Sequence, residues 1–218
     1  MDSVPSRRAG KPGRRSHAER SLATRLELIA ATIRVIEERG LDGASTFEIA
    51  KAAGVTPGAI QHHFESKKAL ILSAATELVH ADDRHGSLFK WPSRDKPLEE
   101  RAREAVSTLW KLLYSRTSYV TMWSIFMACR TDPDVLHHLR AERKKLRDRA
   151  MQNFLATFPE MDAHSDREAF AELVFSSFRG MGVVQLFEPA EGVNERQLTV
   201  LSALIVERCA RGRSCPAP

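Results

Sequence analysis

From Thr46 to Lys67 the chain sets out two hydroxyls, an amide, two imidazoles and an ammonium group at short spacing: Thr46, Thr56, Gln61, His62, His63 and Lys67. Such groups donate to phosphate oxygens and pair with the edges of bases. Pro57, Gly58 and Ala59, just before the amide and imidazoles, are small enough to let a helix come close to a duplex. Acid–base or metal chemistry finds weaker support. The histidines occur as adjacent pairs, His62-His63 and His137-His138, with Glu48 and Asp132 as the carboxylates to match. Neither pair has the i, i+4 spacing that puts two imidazoles on one helix face, and no Gly-rich phosphate loop or nucleophile elbow is present.

Those side chains need elements to hold them. Ser45 with Glu48 has the spacing of a capping box, so a helix starts near Thr46 with Phe47, Ile49, Ala50 and Ala53 turned to a core. Gly54 permits the left-handed backbone that ends a helix abruptly. Val55 fills the angle, Thr56 caps, and Pro57 takes a first helical position, where its missing N–H costs nothing. The short helix that follows has Ile60 and Phe64 as anchors. Ser66 caps the next one, whose first turn carries Lys67 and Lys68 against the helix dipole, an arrangement that an anionic partner would relieve. For Lys68 a solvated role, neutralised by Glu65, is expected.

The segment Val55-Thr56-Pro57-Gly58-Ala59-Ile60-Gln61-His62-His63-Phe64-Glu65-Ser66-Lys67-Lys68-Ala69-Leu70 resembles the amino-terminal domain of the tetracycline-repressor (TetR) family of bacterial transcription regulators. Upstream the likeness runs through Thr46 to Gly54, and to a helix ending at Gly40. The resemblance implies a helix-turn-helix DNA reader in which Lys67 meets a phosphate, His63 approaches one, and the neighbours on the third helix read the major groove. One position departs from the pattern: where the family usually has an aromatic residue, this chain has Gln61. A glutamine pairs with adenine through N6 and N7, so the operator cannot be inherited from relatives. A histidine protonated beside phosphate would tighten binding as pH falls.

At 218 residues the chain can hold one domain or two small ones, and its composition is globular and lacks hairpin signals, so it reads as all-α. The formal charge is +5, and Met1 to Lys68 holds 12 basic against 8 acidic residues, which concentrates the excess where DNA contact would need it. Cys129, Cys209 and Cys215 have neither metal spacing nor an even disulfide count, which fits a reducing cytoplasm. No apolar run reaches membrane-span length and no signal-peptide core is visible, so no membrane partner is expected. Residues 1–15 form a basic flexible arm in which Arg14 and Arg15 can reach a minor groove or the backbone.

About nine helices follow from the periodicity. The first opens with Ser16 and Glu19 and buries a stripe of Leu22, Leu26, Ile29, Ile33 and Ile36. Residues 16–65 make the DNA-binding domain. Residues 66–212 make a helical effector-binding and dimerisation domain with helix 66–83 as connector, and 213–218 form a tail. Within it, Asp95 and Pro97 open a helix to about Arg116, Ser118 to Arg130 form a buried one, and Asp132-Pro133 start a long one to about Phe158. Ser165 with Glu168 start one running to Phe187, and Asn194 caps the last. Residues 85–95 read as a loop.

The resemblance implies a small-molecule site and a two-fold homodimer in this second part. Trp110, Tyr114, Met122, Trp123, Phe126, Phe175 and Phe178 are the candidates to line the site. Charge is absent from Ser118 to Cys129, so a largely apolar or aromatic effector is expected, with Tyr114 or Trp123 as a polar handle. Phe178, Gly182, Leu186, Leu198, Leu201 and Ile205 are the candidates for the dimer interface. The rival readings are a nonenzymatic helical scaffold, using Arg140, Arg143, Lys144, Lys145, Arg147 and Arg149 as a basic face, and a helical enzyme. Glu142 and Asp148 make that face read as a solvated one. The reading favoured is a repressor bound to a palindromic double-stranded operator, with no cofactor and no metal.

Overall fold

The structure, a computed structural model, describes residues 16–84, 91–185, 187 and 193–212. Among them every regular element is helical. The arm 1–15 with Arg14 and Arg15, the segment 85–90, Leu186, Pro189 and the tail 213–218 with Cys215 lie outside the described residues.

Helix α1 spans His17–Gly43 and starts at a complete capping box: the Glu19 N–H donates to Ser16 Oγ at 3.2 Å and the Ser16 N–H donates to Glu19 Oε2 at 2.7 Å. Gly40 interrupts it with φ 71°, the punctuation the sequence places there. Its buried face is Leu28, Ile29, Ala31, Thr32, Val35 and Ile36. The expected stripe needs correction at its start, because Leu22 and Leu26 are exposed: the three-four spacing is met, but no described element covers it before Leu28.

Helix α2 (Thr46–Ala52) has half of its expected box. Ser45 Oγ accepts from the Glu48 N–H at 3.1 Å, while the Glu48 carboxylate is taken by Arg39 of α1 at 2.6 Å. Ile49 and Ala50 are buried as expected, whereas Phe47 is 62% exposed and does not face the core. Gly54 turns the chain with φ 66°, and α3 (Pro57–His63) follows with proline at its first position. Thr56 occupies the cap position without making a side-chain cap bond. Ile60 and Phe64 are its buried anchors. Helix α4 (Lys67–Arg84) is capped by Ser66, whose Oγ accepts from the Ala69 N–H at 3.0 Å.

The second half runs α5 (Leu98–Leu109), a π turn (Trp110–Tyr114), α6 (Thr117–Ala128), α7 (Pro133–Thr157), a 3-10 turn (Pro159–Met161), α8 (Arg167–Val184) and α9 (Val193–Gly212). The π turn closes with the Ser115 N–H donating to the Trp110 carbonyl at 2.9 Å. Asp132 caps α7 by accepting from the Val135 N–H at 3.2 Å, as expected. Two boundaries differ. The Ser165–Glu168 box is not formed, since the cap position falls on Asp166, and α8 stops at Val184, three residues short of Phe187. The last helix begins at Val193, so Asn194 lies inside it.

Helix α4 packs on α1, α6 and α7, and α1 also packs on α6. Helix α5 lies along α9, and α7 packs on α8. Phe154 sits between Phe158 and Phe175, with ring centroids 5.0 Å and 5.6 Å away, at the middle of the second core. Arg101 is buried there, yet its guanidinium pairs with Glu160 and donates to the Arg94 carbonyl at 3.0 Å. No helix among the described residues is long and apolar enough to cross a membrane.

Candidate nucleic-acid interface and interior cavity

Side chains of an α-helix four residues apart share a face. On α3 that rule puts Pro57 with Gln61 and Gly58 with His62, and all four are exposed, opposite the buried Ile60. Ala59 and His63 are half-buried at the margins. Thr46 on α2, Thr56 at the turn and Lys67 at the start of α4 are also exposed. Lys68 is not merely solvated by Glu65: its ammonium pairs with Asp132, the cap of α7. That leaves Lys67 as the cation of this turn without an ion pair among the described residues.

What holds the short reader helices in place is a set of α1 arginines that sequence reasoning missed. Arg25 lies 4.2 Å from the Phe64 ring centroid and donates to the His63 carbonyl at 2.6 Å, at the carboxy end of α3. Arg34 donates to the Ala52 carbonyl at the end of α2 at 3.1 Å, and Arg39 holds Glu48 at its start. Cations at helix carboxy ends satisfy carbonyls that have no partner within the helix and complement the dipole. Nothing in their spacing along α1 announces this. The exposed ring of Phe47, beside Thr46 on the first turn of α2, was also missed as a surface group because an aromatic residue in a short helix reads as core.

The His63 imidazole titrates below the ordinary range, through partial burial first and then the positive fields of His62 and Arg25. It is neutral at pH 7 in the free protein. Its ring stands edge-on to that of His62, with centroids 5.3 Å apart.

The second feature is a cavity of about 420 Å³ bounded by α4, the π turn, α6, α7 and α8. Of the seven side chains expected to line it, Tyr114, Met122 and Phe175 do so. Trp110 and Phe178 are buried in the core, Phe178 stacked on Tyr114 with ring centroids 5.1 Å apart. Trp123 and Phe126 sit behind Arg143, whose guanidinium lies 5.0 Å and 4.9 Å from their ring centroids. Tyr119, which was missed, is on the wall; its hydroxyl is buried without a hydrogen-bond partner among the described residues. Burial raises the Tyr119 phenol, and the Trp123 indole comes near enough to oppose that rise without making a bond of acceptable geometry. Burial pushes the Tyr114 phenol up as well.

The lining is not wholly apolar. Arg140, Arg143, Lys144 and Arg147 of α7 and Arg179 of α8 reach it, with Glu172 as the acid. The basic run on α7 therefore faces a cavity over one of its sides instead of being a wholly solvated face. A lone helix cannot reveal this, because its surface becomes a wall only through α4, the π turn, α6 and α8.

The candidate dimer residues lie elsewhere than expected. Phe178, Gly182, Leu201 and Ile205 are buried within the chain, Leu198 is half-buried, and Leu186 lies outside the described residues. Gly182 serves an internal contact: a Cβ there would stand 2.6 Å from the Tyr114 carbonyl oxygen and 2.9 Å from Tyr119 Cε1. The exposed apolar residues of α8 and α9 are Leu173, Val184, Val200 and Leu204.

Comparison with known proteins agrees with this geometry. Residues 28–79 match the family described as bacterial regulatory proteins, tetR family. Over 203 residues, 92% of this chain and 98% of the relative, the chain is 25% identical to the HTH-type transcriptional regulator CymR of Pseudomonas putida. A crystal structure of a transcriptional regulator from Rhodococcus sp. Rha1 superposes with a TM-score of 0.65 at 25% identity, covering 88% of this chain and 99% of that one. A regulator from Saccharomonospora viridis in complex with choline has the same fold, with a TM-score of 0.65 at 19% identity over 84% of this chain and 96% of its own.

Proposed function

We infer, from a chain that belongs to the tetR family of bacterial regulatory proteins, that this DNA-binding transcriptional regulator changes its hold on an operator when a small molecule fills the cavity. Residues 16–65 form the reader and residues 66–212 the effector-binding and dimerisation part, with α4 as connector. Arg14 and Arg15 of the arm add contacts to the minor groove or backbone. Thr46, Thr56 and Lys67 position the reader on phosphates, His63 approaches one, and Pro57, Gly58 and Ala59 allow the close approach that brings Gln61 and His62 to base edges.

The observation that carries the regulatory part is the double duty of α7. Its middle supplies Arg140, Arg143 and Arg147 to the cavity wall, and its cap residue Asp132 is paired with Lys68, next to the proposed phosphate contact Lys67. A ligand that shifts α7 therefore bears directly on the first turn of α4. In a homodimer two α3 helices must enter successive major grooves about 34 Å apart, so a small rotation of each reader suffices to spoil simultaneous docking on a palindromic operator. Coupling of about 1 to 3 kcal/mol makes a useful switch. Repression by covering a promoter requires no contact beyond DNA and effector, and such a role places the protein in the cytoplasm.

Leu173, Val184, Val200 and Leu204 are the surface we assign to a second copy, in place of the buried residues. They belong to two adjacent helices that also border a groove lined by Gly180, Met181 and Gln197. Fluorescence anisotropy against DNA flanking the protein's own gene tests the function: salt-sensitive, sequence-selective binding is expected, and equal affinity for every duplex overturns it.

A further inference from the structure

The charge of the cavity does not match its apolar walls. Five cationic side chains reach it, and the lining acid, Glu172, is already bonded to Arg179 at 2.7 Å. Ser176 holds the same guanidinium at 2.6 Å. Lys144 and Arg147 have Asp148 as a partner. Arg143 differs. It is half-buried against the rings of Trp123 and Phe126, and no acid among the described residues bonds to it. Removal from water lowers its pKa, and the groups whose fields act on it most are tyrosines and other arginines. A guanidinium nevertheless keeps its charge at every physiological pH. Among the described residues, the wall thus holds a half-buried cation with no counter-ion.

Tyr119 supplies the second observation. The residue lines the same cavity, and its hydroxyl is buried and has no hydrogen-bond partner among the described residues. A partly desolvated cation and an unused donor on one lining are each unfavourable alone, and both are relieved by the same thing, an anionic acceptor. On the same lining, Leu78, Met122 and Phe175 offer only carbon and sulfur surface.

We infer that the cavity takes an amphipathic organic carboxylate. Arg143 pairs with the carboxylate, the Tyr119 hydroxyl donates to one of its oxygens, and the apolar body lies against Leu78, Met122 and Phe175. A volume of about 420 Å³ accommodates a bicyclic ring or a medium-length chain. The inference rests on the effector-site reading above and names the class of ligand. It also separates this chain from the choline-bound neighbour, because a quaternary ammonium ion would face five cations here.

The test is calorimetric titration of the full-length protein without DNA, using octanoate and 1-naphthoate, each against the alcohol of the same skeleton, with octyltrimethylammonium as the cationic control. At least one acid is expected to bind about tenfold or more tightly than its alcohol, as a charge-assisted contact implies, and the ammonium ion is expected not to bind. Arg143→Met is expected to abolish the preference for acid while alcohol binding persists. Arg143→Gln also removes the charge, is expected to lose the same preference, and serves if the methionine variant fails to fold. Tyr119→Phe weakens the acid several-fold and leaves the alcohol unchanged. Absence of binding by both acids at millimolar concentration, equal binding of acid and alcohol, or an acid preference that survives in both Arg143 variants overturns the inference. Anisotropy with operator DNA is read separately. An acid that binds without altering DNA affinity sinks the regulatory reading and leaves the ligand class standing, whereas acids that fail to bind sink the ligand class alone.

Discussion

The imidazole of His80 and the carboxylate of Glu142 lie 2.7 Å apart, joining α4 to α7 one residue from Arg143. The Lys68–Asp132 pair and a 3.2 Å contact between Thr76 Oγ1 and His138 Nε2 close the same seam. Burial differs along it, but all three contacts are polar and directional, so sliding α7 by a fraction of a turn changes every one of them. Packed elements with discrete partners are the kind that two sites can bias together.

Cutting that seam without touching either site is expected to loosen coupling. Glu142→Gln and Asp132→Asn keep the shape and remove the charge. Each should leave the operator affinity of the free protein nearly unchanged, while reducing by roughly two- to tenfold the effect that the bound probe acid has on it. Anisotropy titrations with and without the acid measure this. An undiminished ligand effect in both variants would show that α7 does not carry the signal through these contacts.

Positioning and reading are separable by sequence dependence. Lys67→Ala is expected to weaken every duplex alike and to lower the salt slope by about one. Gln61→Ala should instead cost about 1 to 3 kcal/mol on the matched operator and much less on others. Competition against a randomised duplex pool distinguishes the two; identical losses on all sequences for both variants would contradict the division of roles.

The depressed pKa of His63 gives a pH dependence whose sign can be worked out. In the free protein the ring is neutral at pH 7, and a phosphate beside it would raise its pKa, so binding DNA takes up a proton. Affinity should then rise as pH falls from 7.5 towards 6, by at most about tenfold per unit for one proton. For folding, a base whose pKa is lowered in the folded state costs stability as pH drops through the ordinary imidazole range, and the loss stops below the folded value. His63→Asn is expected to flatten part of the binding profile; a wild-type affinity constant across that range would exclude a phosphate at this ring.

The reader was legible in the sequence because its signals are local. Ser16, Ser45, Gly54, Pro57 and Ser66 each act within a turn, and each sits where its chemistry demands. What was not legible depends on residues distant in the chain. Leu22 and Phe47 have the spacing of core residues but no partner over them, and Gly182 looks like a docking notch until Tyr114 is seen against it. The uncharged run Ser118–Cys129 does border a cavity. The expectation of a largely apolar or aromatic ligand read from that run leaves out α7, whose arginines line the cavity too.

Gly182 offers a stability test of that internal contact. Gly182→Ala would drive a methyl group to within 2.6 Å of the Tyr114 carbonyl, which is backbone and cannot swing away. Overpacking of this kind costs about 1 to 3 kcal/mol, which for a chain of this size is a fall of several degrees in thermal midpoint. Since the clash also reaches Tyr119, acid binding should weaken with it. A midpoint at or above that of the wild type would mean that α8 packs less tightly on the π turn than the geometry requires.

Assembly can be tested on the surface residues left over once the core is assigned. Val200 and Leu204 are one helical turn apart on α9, both exposed, and they flank the groove that Gly180 and Met181 of α8 open. Val200→Asp with Leu204→Asp puts two like charges on that apolar face in both copies of a two-fold pair, so each carboxylate would be buried against the other's surface without a counter-ion. Sedimentation should show dimer for the wild type and monomer for the double variant, with the helical spectrum retained because neither side chain contributes to the buried core. A monomer docks one α3 where a dimer docks two. Affinity for a two-half-site operator should therefore collapse by orders of magnitude while that for a single half-site stays the same. A double variant that remains dimeric and keeps full operator affinity would place the interface on another face of the molecule.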